Sequence, residues 1–344
     1  MKKLTIGMPD GSLANPNRGQ NLAELLARAG LETRNYGTSK PTEFPYVPWL
    51  EPRDGRPRFL IEEVARGDLD VCIAGDDIAT ENNLQSGNST VRKILGLNKG
   101  KTRLVAAAPE DKYRSMAAYL QQRAAAGVCS VIMASEYPAI AQRFLLDKIS
   151  EAGLTAVFGG VTITDYLTER NRMSCSVIAR TEGKTEAMFQ RGSVDLIVET
   201  TQSGASLGDQ GLFALEEVMR SEASLYAAAA RYKTNNQWKS EKIETVKMAL
   251  QGVLAAEGIE MLVFNVPAGQ VSAVYKYLRQ QRLFASEPSI VKGDEFWEFT
   301  IQLDTRNPEL PLVDVQYALR KLGAEAIDRF PLLSSAGNKR GRGK

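Results

Sequence analysis

A chain of 344 residues, 43% of them hydrophobic and 24% charged, is long enough for two or three domains with their own apolar cores. Its 43 lysines and arginines against 41 acids give a net charge of +2, and Lys339, Arg340, Arg342 and Lys344 all fall at the very end, so the body is close to neutral. That balance excludes the basic stripe of a nucleic-acid binder. The absence of any histidine excludes imidazole catalysis and histidine-ligated metals within the chain.

Three scattered cysteines, Cys72, Cys129 and Cys175, make neither a disulfide framework nor a zinc site and point to a reducing, cytoplasmic setting. No apolar run reaches the ~18–20 residues of a membrane span. The start, Met1-Lys2-Lys3 and then a short apolar stretch, lacks the long apolar region of a secretory signal. Chemistry here rests on carboxylates, hydroxyls, backbone amides, lysine and arginine, with magnesium as the expected ion.

Leu4-Thr5-Ile6-Gly7-Met8-Pro9 predicts a short apolar strand ending in the turn Asp10-Gly11-Ser12. Leu22, Leu25, Leu26 and Ala29 then recur at helical spacing. Residues 37–57, rich in proline, aromatics and charge, read as a long loop, and 59–66 as a helix stopped by Gly67. Residues 69–74 form an apolar strand that runs into Gly75-Asp76-Asp77. The order strand, helix, strand indicates a mostly parallel sheet covered by helices.

Residues 103–109 begin a second such unit, with strands expected near 128–133, 155–158 and 194–198 and a helix over 138–151. Residues 161–182 read as an inserted excursion. Beyond the polar linker 233–237, a helix through Ile243, Val246, Leu250 and Val253 precedes a strand over 260–266 and a helix over 269–282. Trp297-Glu298-Phe299-Thr300-Ile301-Gln302-Leu303 alternates as a half-solvated strand does. A helix over 311–322 and a strand over 326–333 complete a small α+β module, ferredoxin-like in its order. The last residues, 335–344, read as a disordered basic tail.

The segment richest in chemistry is Asp195-Leu196-Ile197-Val198-Glu199-Thr200-Thr201-Gln202-Ser203-Gly204-Ala205-Ser206-Leu207. An apolar strand ends at a carboxylate, followed by hydroxyls around one glycine. Ligands in open α/β sheets bind at such strand ends. Gly204 would let backbone amides approach a phosphate, with Ser203 and Ser206 as hydroxyl donors, and Glu199 would face a sugar diol. The same pattern also describes a plain strand–turn–helix in which Ser203 is an N-cap. Asp76 at its strand end, the Arg56-Pro57-Arg58 turn and Arg103 are further candidates, each equally readable as solvated charge.

These residues resemble the phosphoribosyl-diphosphate-binding signature of the ATP phosphoribosyltransferases. The likeness runs through Asp195, Val198, Glu199, Ser203-Gly204-Ala205-Ser206-Leu207 and Gly211-Leu212, and continues at Pro9, Gly11, Arg56-Pro57, Asp70-Val71, Gly75, Arg103 and Ser135-x-Tyr137-Pro138. Near the C-terminus, Val263-x-Asn265-x-Pro267 and Leu322-Gly323-Ala324 are similar to the regulatory domain of the long form.

The resemblance implies a two-lobed body shaped like periplasmic binding proteins, a type IV phosphoribosyltransferase-like fold, plus a ferredoxin-like, ACT-like domain. The corresponding bounds are 1–104 and 213–232 for the first lobe, 105–212 for the second and 233–334 for the regulatory domain. It implies transfer of phosphoribose from phosphoribosyl diphosphate to N1 of the adenine of ATP, the first step of histidine biosynthesis, with Mg2+. Adenine N1 attacks through a lone pair, so no strong base is needed; donors and an ion must stabilise an oxocarbenium-like ribose and a leaving diphosphate. Glu199 would be the catalytic carboxylate on the ribose hydroxyls, with Thr200, Gln202, Ser203, Gly204, Ala205, Ser206 and Leu207 around the phosphoribosyl group. Gly11, Arg56, Gly75, Asp76, Arg103 and Tyr137 would lie on the nucleotide and diphosphate side; the residues that hold the metal are not identified. Feedback inhibition by histidine and a hexamer built from dimers are implied as well.

The sequence departs from the family at Asp10 and Ser12, where cations are usual, and at Phe59, where an acid is usual; Lys2, Lys3 and Arg18 are candidates to compensate. A paralogue using another base, or a non-catalytic solute-binding sensor, are the competing readings. An assay with a panel of acceptors separates them.

Overall fold

The computed structural model describes residues 2–15, 17, 21–109, 113–168, 176–183, 185–202, 204–230, 236–283 and 289–334, with Ala205 and Ser206 described in their backbone only. Ser203, Arg18, Cys175 and the basic tail therefore lie outside the described residues. Two compact units are present, one drawn from residues 1–24 and 32–244 and the other from 25–31 and 245–344.

The first unit opens with β1 (Leu4–Pro9), α1 (Leu22–Arg28, which runs on into the second unit), β2 (Leu50–Gly55), α2 (Pro57–Arg66), β3 (Val71–Gly75) and α3 (Asp76–Gln85). It continues with β4 (Val91–Ala108), α4 (Met116–Ala125), β5 (Ile132–Ser135), α5 (Pro138–Glu151), α6 (Thr155–Phe158), β6 (Val161–Thr164) and β7 (Ser176–Arg180). α7 (Thr185–Gln190), β8 (Leu196–Thr201), α8 (Ala205–Gly208) and β9 (Phe213–Ala228) complete it, up to the start of α9 (Gln237–Ala256).

All its strands join one nine-stranded sheet, in the order β2-β1-β3-β9-β4-β8-β5-β7-β6. β1 is parallel to β2 and β3, and β5 is parallel to β7 and β8, while the long β4 and β9 run antiparallel between these groups. Val71, Cys72, Ile73 and Ala74 of β3 are all buried, as expected of a strand covered on both faces. Leu60, Ile61 and Val64 place one stripe of α2 against Leu69, Cys72 and Ala74. Each such side chain stabilises the fold by about 1.5–3 kcal/mol.

The second half of this sheet has a topological switch. Met133, Leu196 and Val198 face one core with Ile140, Phe144 and Leu145 of α5. Ile132, Ala134 and Ile197 face the opposite core with Met188 and Phe189 of α7. The chain therefore leaves β5 over one face and leaves the neighbouring β7 over the other, the arrangement at whose carboxyl ends open α/β sheets bind their ligands.

The second unit holds a four-stranded sheet, β11-β12-β10-β13, built from β10 (Ile259–Pro267), β11 (Ser289–Lys292), β12 (Phe296–Asp304) and β13 (Glu325–Pro331). The pairs β10–β12, β10–β13 and β11–β12 are antiparallel. Val274 and Leu278 of α10 (Val271–Gln280) and Val315 and Leu319 of α11 (Leu312–Lys321) pack on one face against Leu262, Phe264, Phe299 and Ile301. The mixed α/β body and separate antiparallel C-terminal sheet match the expected fold class.

Several expectations are corrected. The segment 37–57 is not all loop: Leu50–Gly55 is an edge strand, where Pro52 and three charges are tolerated because one side of the ladder is open. Residues 155–158 form a helical turn that buries Phe158, not a strand. The supposed excursion over 161–182 supplies β6 and β7, each too short to announce itself by periodicity. β9 and the first half of β4 give no clear periodic signal, because their charges alternate irregularly on a ribbon that is partly exposed.

Candidate active site

Glu199 lies on β8 opposite Val105 of β4, with Ile197 behind it in the core. Its Oε1 accepts from the Thr200 amide at 2.8 Å and from the Thr200 hydroxyl at 3.1 Å. Among the described residues, Oε2 carries no hydrogen bond. Two residues on, the buried Thr201 accepts the Gly204 amide on Oγ1 at 2.8 Å and closes a tight turn. Gly204 has φ +86°, a left-handed conformation that side chains resist. Leu207 and Leu212 are buried in the core beneath and anchor the far side of the turn. The loop's shape is thus set by Thr201, Gly204 and Leu207. Ser203 itself lies outside the described residues.

Beside this loop stands Glu136, at the end of β5. Ser135 Oγ donates to the Val198 carbonyl at 2.8 Å and accepts the Tyr137 amide at 2.9 Å, tying β5 to β8 where Glu136 emerges. Thr181, after β7, donates its amide to the Ser135 carbonyl at 3.0 Å, and its hydroxyl meets that of Thr185 at 2.8 Å. Burial raises the pKa of Glu136, and the charge of Glu199 raises it further, with a smaller push from Glu186. A hydrogen bond from the Gly183 amide and the positive charge of Arg58 act the other way. Two carboxylates in each other's field at a switch point form a site that favours hydroxyl donors and positive charge.

The remaining candidates separate into different settings. Arg103 pairs with Thr201 across β4 and β8, and its guanidinium lies 3.9 Å from Glu217. Arg56 is exposed at the start of α2. Gly11, with φ +70°, lines a cavity of about 850 Å³ together with Asp10, Tyr36, Lys40, Arg53 and Asp54, a lining that includes none of residues 199–207. Asp76 is committed to its own surroundings: it accepts from Tyr226 at 2.5 Å and from Lys93 at 2.8 Å. Gly75 precedes it, and a Cβ there would strike the Asp77 carboxylate. Tyr137 is buried with its hydroxyl on Asp77, which gives it a supporting place.

The sequence alone does not single out Glu136 or Gly183, and it offers Arg58 only as part of the Arg56-Pro57-Arg58 turn. The first stands inside the Ser135-x-Tyr137-Pro138 stretch, and an acid directly after a predicted strand end was the signal available.

The profile of the ATP phosphoribosyltransferase family matches residues 56–252, more than half of the chain. The chain belongs to the ATP phosphoribosyltransferase family. Members with that name from Geotalea daltonii and Geobacter sulfurreducens are each 28% identical over 331 residues, covering 96% of this chain and 97% of theirs. A solved ATP phosphoribosyl transferase (HisG:HisZ) complex from Thermotoga maritima contains a chain 17% identical, with a TM-score of 0.49, covering 72% of this chain and 98% of that one. As a family member, this ATP phosphoribosyltransferase is a glycosyltransferase of histidine biosynthesis. Among its described residues no helix is long and apolar enough to cross a membrane.

Proposed function

We propose that the crevice at the ends of β5, β7 and β8 binds phosphoribosyl diphosphate for transfer to N1 of the adenine of ATP. The turn over 200–207 holds the 5-phosphate on backbone amides, and Glu199 takes the ribose hydroxyls through Oε2. What carries this reading is the Glu199 carboxylate standing directly before the Gly204 turn, with Glu136 in its electrostatic field.

The chemistry follows from those charges. As the bond from C1 to diphosphate stretches, the ribose becomes oxocarbenium-like, and Glu136 and Glu199 offer fixed negative charge to it. The attacking nitrogen brings no proton that must leave, so no histidine is required. Glu136 and Glu199, with the substrate's phosphates, would offer magnesium oxygen donors, and the ion would supply charge neutralisation to the leaving diphosphate. Arg56, Arg58 and Arg103 supply cations on the nucleotide and diphosphate side, with Gly11 at the turn after β1. Asp76, Gly75 and Tyr137 support this site from behind. The ferredoxin-like sheet is assigned as the regulatory domain, answering to histidine, within a cytoplasmic homo-hexamer. Residues 1–104 with 213–232, and 105–212, are the two lobes of the catalytic body.

Turnover of phosphoribosyl diphosphate with ATP, followed by formation of the N1-substituted product, tests the reading. Glu199→Gln should lower kcat/KM roughly 100- to 1,000-fold, the range for one preorganised electrostatic contact. A variant within twofold of the parent enzyme would overturn the role.

A further inference from the structure

Away from the loop, α3 carries two buried carboxylates that the transfer step does not use. Asp77 and Glu81 lie one turn apart and are only 6% and 7% exposed. Both face the start of α5. Glu81 accepts the Ala139 amide on Oε1 and the Ile140 amide on Oε2, each at 2.9 Å, and the Gln85 side chain donates to its Oε1 at 2.6 Å. Asp77 accepts the Tyr137 hydroxyl and is further held by Ser221 of β9. α5 has no side-chain cap of its own, and Pro138 at its first turn has no amide to offer. Its first free donors are therefore met by a glutamate more than fifty residues earlier, from the other group of strands.

The place of this contact in the sheet matters. β1–β3 and β5–β8 are separated by β9 and β4, so the two groups are joined through that ribbon. The ribbon's pairing shifts register between Lys93 and Leu95, Gly96 and Lys99, Lys99 and Thr102, Leu104 and Val105, and Ala106 and Ala107. Repeated bulges bend and twist a ladder. A ribbon of this kind fixes the angle between the groups weakly, whereas a carboxylate on two amides fixes a distance well.

We propose that Glu81, with Asp77, latches the β1–β3 group to the β5–β8 group across this bulged ribbon, and so holds segment 135–140, Glu136 included, in the position that receives substrate. Both are positioning residues: they touch neither substrate nor reacting atoms. The proposal rests on the reading of the strand-end crevice as the phosphoribosyl site. If the latch opens, binding must first close it, and apparent affinity falls by the fraction of enzyme still closed. Saturating substrate restores the closed form, so the chemical step itself is preserved.

The experiment compares the full chain with Glu81→Gln, in which one acceptor oxygen becomes a donor facing an amide. The expected result is a common rise in KM for phosphoribosyl diphosphate and for ATP, roughly tenfold or more, with kcat within threefold. Small-angle scattering of the ligand-free variant should give a larger radius of gyration that returns to the parent value on adding phosphoribosyl diphosphate. Exchange of the Ala139 and Ile140 amides should quicken. Unchanged KM and radius despite faster exchange at those amides would overturn the latch, since a purely local cap behaves that way. If Glu81→Gln does not fold, Asp77→Asn, which weakens the other contact between α3 and the start of α5, decides by the same common-factor test. Failure of the parent chain to bind phosphoribosyl diphosphate would instead sink the crevice reading, and the ligand-free radius would then decide the latch.

Discussion

The Glu199 carboxylate raises the pKa of Glu136 across two neighbouring parallel strands, β8 and β5. A raised carboxyl is one whose ionised form the fold disfavours. Its contribution to stability is therefore fully present below the unfolded-state pKa and is lost as pH rises through the folded one.

Glu136→Gln mimics the protonated form at every pH. Its melting temperature should exceed that of the parent by about 1–2 °C at pH 7–8, an amount kept small because Glu136 is partly solvated. The gain should vanish below pH 4. A variant that melts lower at pH 8 would mean that the Gly183 amide and Arg58 outweigh burial and Glu199.

Gly204→Ala probes the turn. A Cβ there meets nothing within 4 Å, so the cost is purely that of φ +86° for a residue with a side chain, about 1–2 kcal/mol. Calorimetry should show phosphoribosyl diphosphate binding weakened roughly 5- to 30-fold, and Gly204→Asn, which tolerates that conformation, should recover much of it. Equal losses in both variants would point to contact with the glycine itself.

Gly75→Ala tests the close approach at the start of α3. The new methyl collides with the Asp77 carboxylate and must displace it from Tyr137 and Ser221. Overpacking of this kind costs about 1–3 kcal/mol, read from the urea midpoint. An unaltered midpoint would show that Asp77 can turn aside freely.

If the proposed regulation by histidine holds, deleting residues 233–344 should abolish it and change the assembly seen by light scattering. Inhibition that survives in a folded, truncated protein would place the effector in the first unit.

Much of the fold was readable because its signals are local. The apolar run of β3, the stripe of Leu60, Ile61 and Val64 on α2, and the alternation over 297–303 each carry their period within a few residues. The site was readable in part for the same reason: Glu199 and the Gly204 turn are one continuous segment. Glu136 and Gly183 were not, and Arg58 could be named but not placed, since all three come to that segment only when β5, β7 and α2 are assembled. Asp76 shows the opposite limit. At a strand end it looks free, and only the fold brings Lys93 and Tyr226 to occupy it.

The cap on α5 also constrains the order of folding. The amides of Ala139 and Ile140 wait for an acceptor from α3, so the first turn of α5 cannot be completed until distant parts of the chain have met. A fragment beginning after α3 would fold with that turn frayed, and supplying the missing piece in trans should restore it.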